Sequence, residues 1–160
     1  MQNIRENLII DILEKNKAKC DYNLNKLSSN EYWKIDKKEI LEDKFLGKGQ
    51  FGEVLKGKWR KLNVAIKKIH LDKINFEVYN EIAIWSSLRH PNIVSFLGIS
   101  YDFKNNPLII LEYMEGGTLE DYLINHKISN QKIIDLSLDI CRGVYFLHQC
   151  NPQIIHRDLN

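Results

Sequence analysis

The stretch of sequence that decides the fold is glycine-rich and reads Leu46-Gly47-Lys48-Gly49-Gln50-Phe51-Gly52-Glu53-Val54. A dinucleotide-binding fold places such a G-x-G-x-x-G pattern between a strand and a helix, with an acidic residue about 20 positions further on. Here the residues after Gly52 are typical of a strand, and the residue twenty positions after Gly47 is Lys67. The pattern favours a glycine-rich hairpin whose backbone N–H groups can approach a polyphosphate without obstruction by Cβ atoms. Taken alone, it fits an ordinary glycine-rich turn equally well.

A second segment, Val64-Ala65-Ile66-Lys67, has the composition of a strand and follows a polar turn at residues 60–63. We expect it to pair antiparallel with the strand after the glycines, which would let the Lys67 side chain reach the phosphates under the loop. The next segment has helical spacing from Ile74 to Leu88 and must end before Pro91. Two of its carboxylates, Glu77 and Glu81, are candidate partners for Lys67. Solvated surface residues would look the same at this level.

The other elements are predicted from the same kinds of signal. Strand patterns occupy residues 93–99 and 108–111. Thr118 followed by Asp121 resembles a capping box that opens a short helix, and a long helix spans about residues 131–149. Residues 1–32 differ from the rest, because an amphipathic helix near residues 3–18 is followed by a polar linker.

The composition fits one globular domain or part of a larger one: 160 residues, 44% hydrophobic, 28% charged, with a net charge of +2. A balance so near zero, without a run of like charges, argues against nucleic acid as a partner. Apolar runs of four residues are far shorter than the ~18–20 needed to span a bilayer, which argues against a membrane protein. Three cysteines without C-x-x-C spacing, and no signal peptide, favour a cytoplasmic location.

Three longer motifs carry a family resemblance: Trp33-Lys34-Ile35, Leu88-Arg89-His90-Pro91-Asn92-Ile93-Val94-Ser95-Phe96-Leu97-Gly98, and Leu111-Glu112-Tyr113-Met114-Glu115-Gly116-Gly117-Thr118-Leu119. With them the chain, from about Trp33 to Asn160, resembles the eukaryotic protein kinases, and most of all their tyrosine-kinase-like group. The resemblance implies an α+β, protein-kinase-like fold. Residues 33–114 would form the N-lobe, an antiparallel β-sheet plus αC helix, with the hinge. Residues 115–160 would form the first helices of an incomplete α-helical C-lobe.

The resemblance also implies roles for the nucleotide-binding residues, with ATP as the nucleotide. The glycine loop, residues 46–54, would cover the ATP phosphates, and Lys67 would bind them. Glu81 is the implied partner of Lys67, because it lies nine residues before His90, as the αC glutamate does in the family. The same glutamate would limit the rotamer freedom of the Lys67 side chain.

The adenine end of the site follows from the same resemblance. Val54 and Ala65 would sandwich the adenine ring between apolar side chains. Leu111 would be the gatekeeper, and Glu112, Tyr113 and Met114 would form the hinge whose backbone hydrogen-bonds the ring.

The segment His156-Arg157-Asp158-Leu159 resembles the start of the catalytic loop, in which Asp158 would accept the proton of the substrate hydroxyl. The magnesium-binding Asn of the family would stand at position 163, and the Asp-Phe-Gly segment later still. Ligands for Mg²⁺ are therefore expected beyond residue 160, with no metal ligand within the chain, and we expect the chain alone not to be a competent kinase. Asn160 departs from the family pattern; serine and threonine are favoured over tyrosine as the target, and the protein substrate stays unknown.

Two other functions stay open beside phosphotransfer: a non-catalytic kinase-like module that regulates another protein, and an inert remnant of an interrupted gene. The predicted helix at residues 131–149 is apolar around nearly its whole circumference. We expect either further kinase residues or a partner to cover it.

Overall fold

The structure, a computed structural model, describes residues 33–49, 52–70, 76–156 and 159, and of residues 76–81 the backbone alone. Some sequence predictions concern residues outside this description. They are the helix and linker of residues 1–32, Gln50 and Phe51 of the glycine loop, the side chains of Glu77 and Glu81, and Arg157, Asp158 and Asn160 of the predicted catalytic segment.

Five strands form one antiparallel sheet in the order β1-β2-β3-β5-β4. The strands are β1 (Ile40–Gly49), β2 (Gly52–Trp59), β3 (Leu62–Ile69), β4 (Phe96–Tyr101) and β5 (Pro107–Glu112). The helices are α1 (Phe76–Ser87), α2 (Leu119–Asn125) and α3 (Asn130–Gln149). A sheet followed by helices confirms the predicted α+β fold class.

The strand β4 begins at Phe96, three residues later than the sequence pattern predicted. The residues before it turn: the N–H of Ile93 donates to the His90 carbonyl at 3.1 Å, and the N–H of Asn92 donates to His90 Nδ1 at 3.1 Å. Residues 93–95 therefore belong to the turn and not to the strand.

The sheet has an apolar cluster on each face, because successive side chains of a strand point to opposite sides. On β3, Val64 and Ile66 belong to one cluster and Ile69 to the other, and all three are fully buried. The outer-face cluster consists of Ile35, Ile40, Val64, Ile66, Leu108 and Ile110. The helix-side cluster consists of Ile69, Ile82, Phe96, Ile109 and Leu111, with Trp33, Ala65, Trp85 and Ile99 packed against it.

Residues 33–35 cover the free edge of β4. The N–H of Ile35 donates to the Ile99 carbonyl at 2.8 Å, and Lys34 forms a parallel bridge with Ile99. The Trp33 ring meets Phe96 edge-to-face, with 5.4 Å between the ring centres. A Cβ on Gly98 would come within 2.6 Å of the Trp33 carbonyl oxygen, so glycine is needed where this segment crosses. An edge paired in this way is protected from pairing with other chains.

The two later helices begin at side-chain caps. Thr118 Oγ1 accepts the N–H of Asp121 at 3.0 Å, which confirms the predicted cap of α2. Ser129 Oγ accepts the N–H of Lys132 at 3.2 Å, so α3 begins at Asn130 and ends, as predicted, at Gln149.

Helix α3 packs on the turn at residues 90–93. The His90 and Phe146 rings stack with 4.7 Å between their centres, and a Cβ on Gly143 would lie 2.9 Å from the Asn92 carbonyl oxygen. Other apolar side chains of α3 are exposed by 47 to 66%: Ile133, Ile134, Leu138, Ile140 and Tyr145. That further residues or a partner cover them stays a prediction.

The described residues form two compact units. One contains the sheet and α1, residues 33–87 and 96–113, and the other contains residues 88–95 with α2 and α3. The predicted domain bounds stay a prediction, because compactness alone does not show which residues fold together. Among the described helices, none has the length and apolarity to cross a membrane.

Candidate active site

The glycine-rich segment lies between two antiparallel strands. Gly49 of β1 pairs with Gly52 of β2, Lys48 with Glu53, and Gly47 with Val54. A strand, not a helix, follows the last glycine, so the predicted hairpin is confirmed and the dinucleotide-binding arrangement is excluded. Leu46 lies in β1 and is 43% exposed.

Glycine suits positions 47 and 52 for different physical reasons. A Cβ on Gly52 would come within 1.8 Å of the Lys68 carbonyl oxygen, so this glycine allows β2 and β3 to approach closely. A Cβ on Gly47 would meet no atom of the described residues within 4 Å. The space beside Gly47 is open to a ligand, whereas Gly52 serves the packing of the sheet.

The strand register brings five of the predicted nucleotide-binding residues to one face of the sheet and leaves the paired Lys48 and Glu53, and Glu112, on the other face. Val54 pairs with Lys67, and Ala65 pairs with Leu111 across β3 and β5. Because paired residues share a face, as do residues two apart in a strand, Gly47, Val54, Ala65, Lys67 and Leu111 lie on the same face. This is the helix-side face, since Ala65 and Leu111 belong to the helix-side cluster.

Lys67 lies against helix α1. Its Nζ is 4.7 Å from the centre of the Trp85 ring. Trp85 and Glu81 are four residues apart on α1, the spacing at which residues share one face of a helix. The Lys67 ammonium therefore meets the face of α1 to which Glu81 belongs.

The neighbouring Lys68 points to the opposite face and has a different partner. Its Nζ lies 3.0 Å from Asp102 Oδ2 and 4.0 Å from Glu53 Oε1. Asp102 also accepts the N–H groups of Lys104 at 2.8 Å and Asn106 at 2.9 Å, which fixes the connection between β4 and β5. Of the two adjacent lysines, Lys68 thus serves the fold.

The carboxylate of Asp102 is held in its charged form. Burial by itself raises the pKa of Asp102, but the hydrogen bonds from Asn106, Lys68 and Lys104 outweigh it and lower the pKa well below its usual range. The hydrogen bond to Asp102 in turn raises the pKa of Lys68 against the smaller opposing effect of burial.

The comparison with known proteins agrees with this geometry. The sequence matches the family model described as "Protein tyrosine and serine/threonine kinase" over residues 40–160. The chain belongs to the protein kinase family. The match takes in the glycine hairpin, Lys67 and the strand β5.

The chain is also similar to kinases of Dictyostelium discoideum. It is 40% identical to "Dual specificity protein kinase splA" over 138 residues, which are 80% of this chain and 6% of that protein. It is 43% identical to "Probable serine/threonine-protein kinase drkC" over 136 residues, which are 78% of this chain and 18% of that protein. The chain thus spans less than a fifth of the length of these two relatives.

In this kinase domain the strand β5 leads to the predicted hinge. Leu108, Ile109 and Ile110 are fully buried and Leu111 nearly so. Glu112 ends the strand in register with Val64. The next residue, Tyr113, has its ring 4.6 Å below Lys56 Nζ.

The predicted hinge residue Met114 is 53% exposed, and its carbonyl accepts the N–H of Gly117 at 3.2 Å. Gly117 has a φ of +71°, a left-handed conformation that suits glycine.

The predicted catalytic segment is described only in part. The N–H of Ile154 donates to the Leu147 carbonyl at 3.0 Å, which ties the segment to the end of α3, and His156 is exposed. Asp158 lies outside the described residues. In the part of the chain that is described, no group of three or more His, Cys, Asp or Glu side chains could hold a metal ion.

Sequence reasoning missed two contacts. It assigned no contact between Trp85 and Lys67, although Trp85 lies four residues after Glu81 in the sequence. It gave Lys68 no role, because its partner Asp102 is 34 residues away and no local pattern connects them.

Proposed function

We propose that this chain contributes the ATP-binding part of a protein kinase that transfers the γ-phosphate of ATP to serine and threonine hydroxyls. The observation that carries the proposal is the strand register, which gathers Gly47, Val54, Ala65, Lys67 and Leu111 on one face of the sheet. The family membership supports the same reaction.

The residues on this face fit ATP. Val54 and Ala65 offer small apolar surfaces of the kind that enclose an adenine ring. The open space beside Gly47 lets phosphate oxygens approach the backbone, and Lys67 supplies a positive charge two residues from Ala65. Bound ATP would supply the phosphoryl group, and Mg²⁺ would neutralise the charge of the phosphates.

Lys67 binds the phosphates and Glu81 restrains the Lys67 side chain. Trp85 supports this pairing, since Glu81 is one turn from Trp85 and Glu77 is two turns away, about 6 and 12 Å along the helix axis. Helical side chains lean toward the N-terminus of their helix, so the Trp85 ring that Lys67 meets extends toward the turn of Glu81.

Asp158 accepts the proton of the substrate hydroxyl as that oxygen bonds to the γ-phosphorus; the bond between this phosphorus and the β–γ bridging oxygen breaks, and ADP leaves. The Mg²⁺ ligands follow the catalytic segment, at the position of the family's Asn and in its Asp-Phe-Gly segment. Serine and threonine are proposed as targets because drkC is named as a serine/threonine kinase, whereas splA is named as dual specificity. Phosphoamino-acid analysis of a generic substrate phosphorylated by the full-length protein tests this choice.

Thermal unfolding of the full chain with ATP, with and without Mg²⁺, tests the nucleotide site. A ligand that binds only the folded state at 100 times its Kd stabilises it by about 2.7 kcal/mol. Absence of any shift would refute ATP binding. In the full-length protein, Lys67→Met is expected to abolish phosphotransfer with the fold retained, and near-normal activity of that variant would refute the role of Lys67. ATP binding without phosphotransfer by the full-length protein would favour a non-catalytic kinase-like module.

A further inference from the structure

We propose that Trp85 is a positioning residue for Lys67: its indole ring holds the lysine ammonium at the helix-side face of the sheet before nucleotide arrives. The inference rests on the proposed function, since it assigns a support to the phosphate-binding lysine. The observation behind it is the position of Lys67 Nζ, 4.7 Å from the centre of the Trp85 ring. That distance lies within the range of about 6 Å in which a cation is attracted to an aromatic face.

Trp85 is itself held firmly. It packs against the helix-side cluster, in which Ile82, three residues earlier on α1, is 3% exposed and Phe96 of β4 is 2% exposed. Its ring moves about only two torsions, and the packing of this half-buried side chain against the cluster limits them. The packing therefore holds the Trp85 ring in place, and the Lys67 ammonium that contacts the ring is held there too.

The chemistry of the two groups suits this arrangement. Tryptophan gives the strongest cation–π attraction of the aromatic residues, and an ammonium has three N–H donors. One side of the Lys67 ammonium can face the ring while its other donors face a carboxylate or a phosphate. The proposal is thus compatible with an ion pair between Lys67 and Glu81.

A held lysine should bind phosphate better than a mobile one. A free lysine side chain samples many rotamers, and immobilising it on binding costs free energy. With Trp85 in place, part of this ordering has occurred before ATP binds. Trp85→Leu keeps an apolar side chain but removes the ring, so it is expected to weaken ATP binding about 2- to 10-fold, which corresponds to about 0.5–1.4 kcal/mol for one immobilised side chain.

The contact can be tested without nucleotide. Reductive dimethylation with ¹³C-formaldehyde keeps the charge of lysines, and the Lys67 signal of the full chain is assigned by its loss in Lys67→Arg. Methyl groups over an indole face are shifted upfield by the ring current. We expect an upfield Lys67 signal that moves to the position of exposed lysines in Trp85→Leu and to an intermediate position in Trp85→Phe.

Trp59→Leu is the matched control, because it removes an indole that lies 5.3 Å from the Arg60 guanidinium at the far end of β2. It should change neither the Lys67 signal nor the ATP affinity. ATP affinity is measured by calorimetry on the unmodified protein and on each variant. If Trp85→Leu does not fold, both measurements are made on Trp85→Phe.

A Lys67 signal at the position of exposed lysines in the unsubstituted chain would overturn the proposal. So would a Lys67 signal that moves in Trp85→Leu or Trp85→Phe without any loss of ATP affinity, because the ring would then touch the lysine without positioning it. If the unsubstituted chain binds no ATP but keeps the upfield signal, the proposed function fails while the contact between Trp85 and Lys67 stands.

Discussion

Replacing Lys67 and Lys68 by methionine, one at a time, is expected to separate nucleotide binding from stability. The two residues are adjacent in β3 but belong to opposite faces of the sheet. Lys67 lies against Trp85 on the face of the candidate site, whereas Lys68 forms an ion pair with Asp102 on the other face. Each variant removes one positive charge and keeps a long unbranched side chain, so each is the control for the other.

The stability effect follows from the surroundings of Asp102. Its side chain is 9% exposed, and Lys68→Met removes the donor at 3.0 Å while the N–H groups of Lys104 and Asn106 remain. A hydrogen bond to a charged group contributes about 1.5–3 kcal/mol, and the partial exposure of Lys68 lowers the expected loss to about 1–3 kcal/mol. For a chain of this size each kcal/mol shifts Tm by about 2–4 °C, so Tm should fall by about 2–12 °C. Lys67→Met keeps a long side chain that can pack on Trp85, so it should lower the free energy of unfolding by less than Lys68→Met does.

The expected effect on ATP binding is opposite: Lys67→Met should lose affinity for ATP and Lys68→Met should keep it. Loss of a charged contact of about 1.5–3 kcal/mol weakens ATP binding about 10- to 100-fold. At an ATP concentration of 100 times the unsubstituted Kd, the stabilisation of about 2.7 kcal/mol would fall to about 0.4–1.4 kcal/mol in Lys67→Met and stay whole in Lys68→Met. Differential scanning fluorimetry with and without ATP measures both quantities. The reverse pattern, with ATP stabilising Lys67→Met fully and Lys68→Met weakly, would refute the assignment of the two lysines.

Three further outcomes are expected. The pKa of Asp102 is lowered in the folded state, so its charged form stabilises the fold. The unsubstituted chain should therefore be more stable than Asp102→Asn by an amount that is complete above the ordinary carboxyl pKa of about 3.9 and that shrinks as pH falls below it. Urea unfolding between pH 7 and 3 measures this difference in stability, and a difference independent of pH would contradict the prediction. In the full-length protein, Glu81→Ala should reduce kcat/KM severely and Glu77→Ala mildly, and the opposite order would mean that the ion pair uses the other turn of α1. Gly52→Ala should destabilise the fold by about 1–3 kcal/mol, since the added Cβ would clash with backbone. Gly47→Ala should weaken ATP binding and leave the stability unchanged. Equal stabilities of the two variants would argue against the packing role of Gly52.

The glycine hairpin and the strand that carries Lys67 were predictable from local signals. The β-type residues after Gly52 exclude the strand–helix arrangement of a dinucleotide fold, and the structure places a strand there. The alternation of Val64, Ala65, Ile66 and Lys67 implies that Ala65 and Lys67 share a face, which the register confirms. Such predictions succeed because the side chains of a strand alternate between its two faces, so neighbouring residues in the sequence show the pattern.

The features that sequence could not supply depend on distant contacts. Nothing near Gly52 indicates that its Cβ would strike the Lys68 carbonyl of the next strand. The pattern of residues 93–95 fits a strand, but the turn fixed by hydrogen bonds to His90 prevents it. Roles for Glu81, the hinge and Asp158 came from family resemblance and stay predictions.

Alternate residues of β3 support the candidate site from opposite faces of the sheet. Val64, Ile66 and Lys68 of β3 point to the outer face, where they are buried or paired, while Ala65 and Lys67 point to the helix side. Anchoring every second residue of β3 fixes the backbone of the residues between them, because the strand cannot rotate without exposing Val64 and Ile66. The ion pair of Lys68 with Asp102 adds a polar lock at the end of β3 nearest Lys67. The position of Lys67 is thus set by the residues of β3 that are anchored on the outer face and by Trp85 on the helix side.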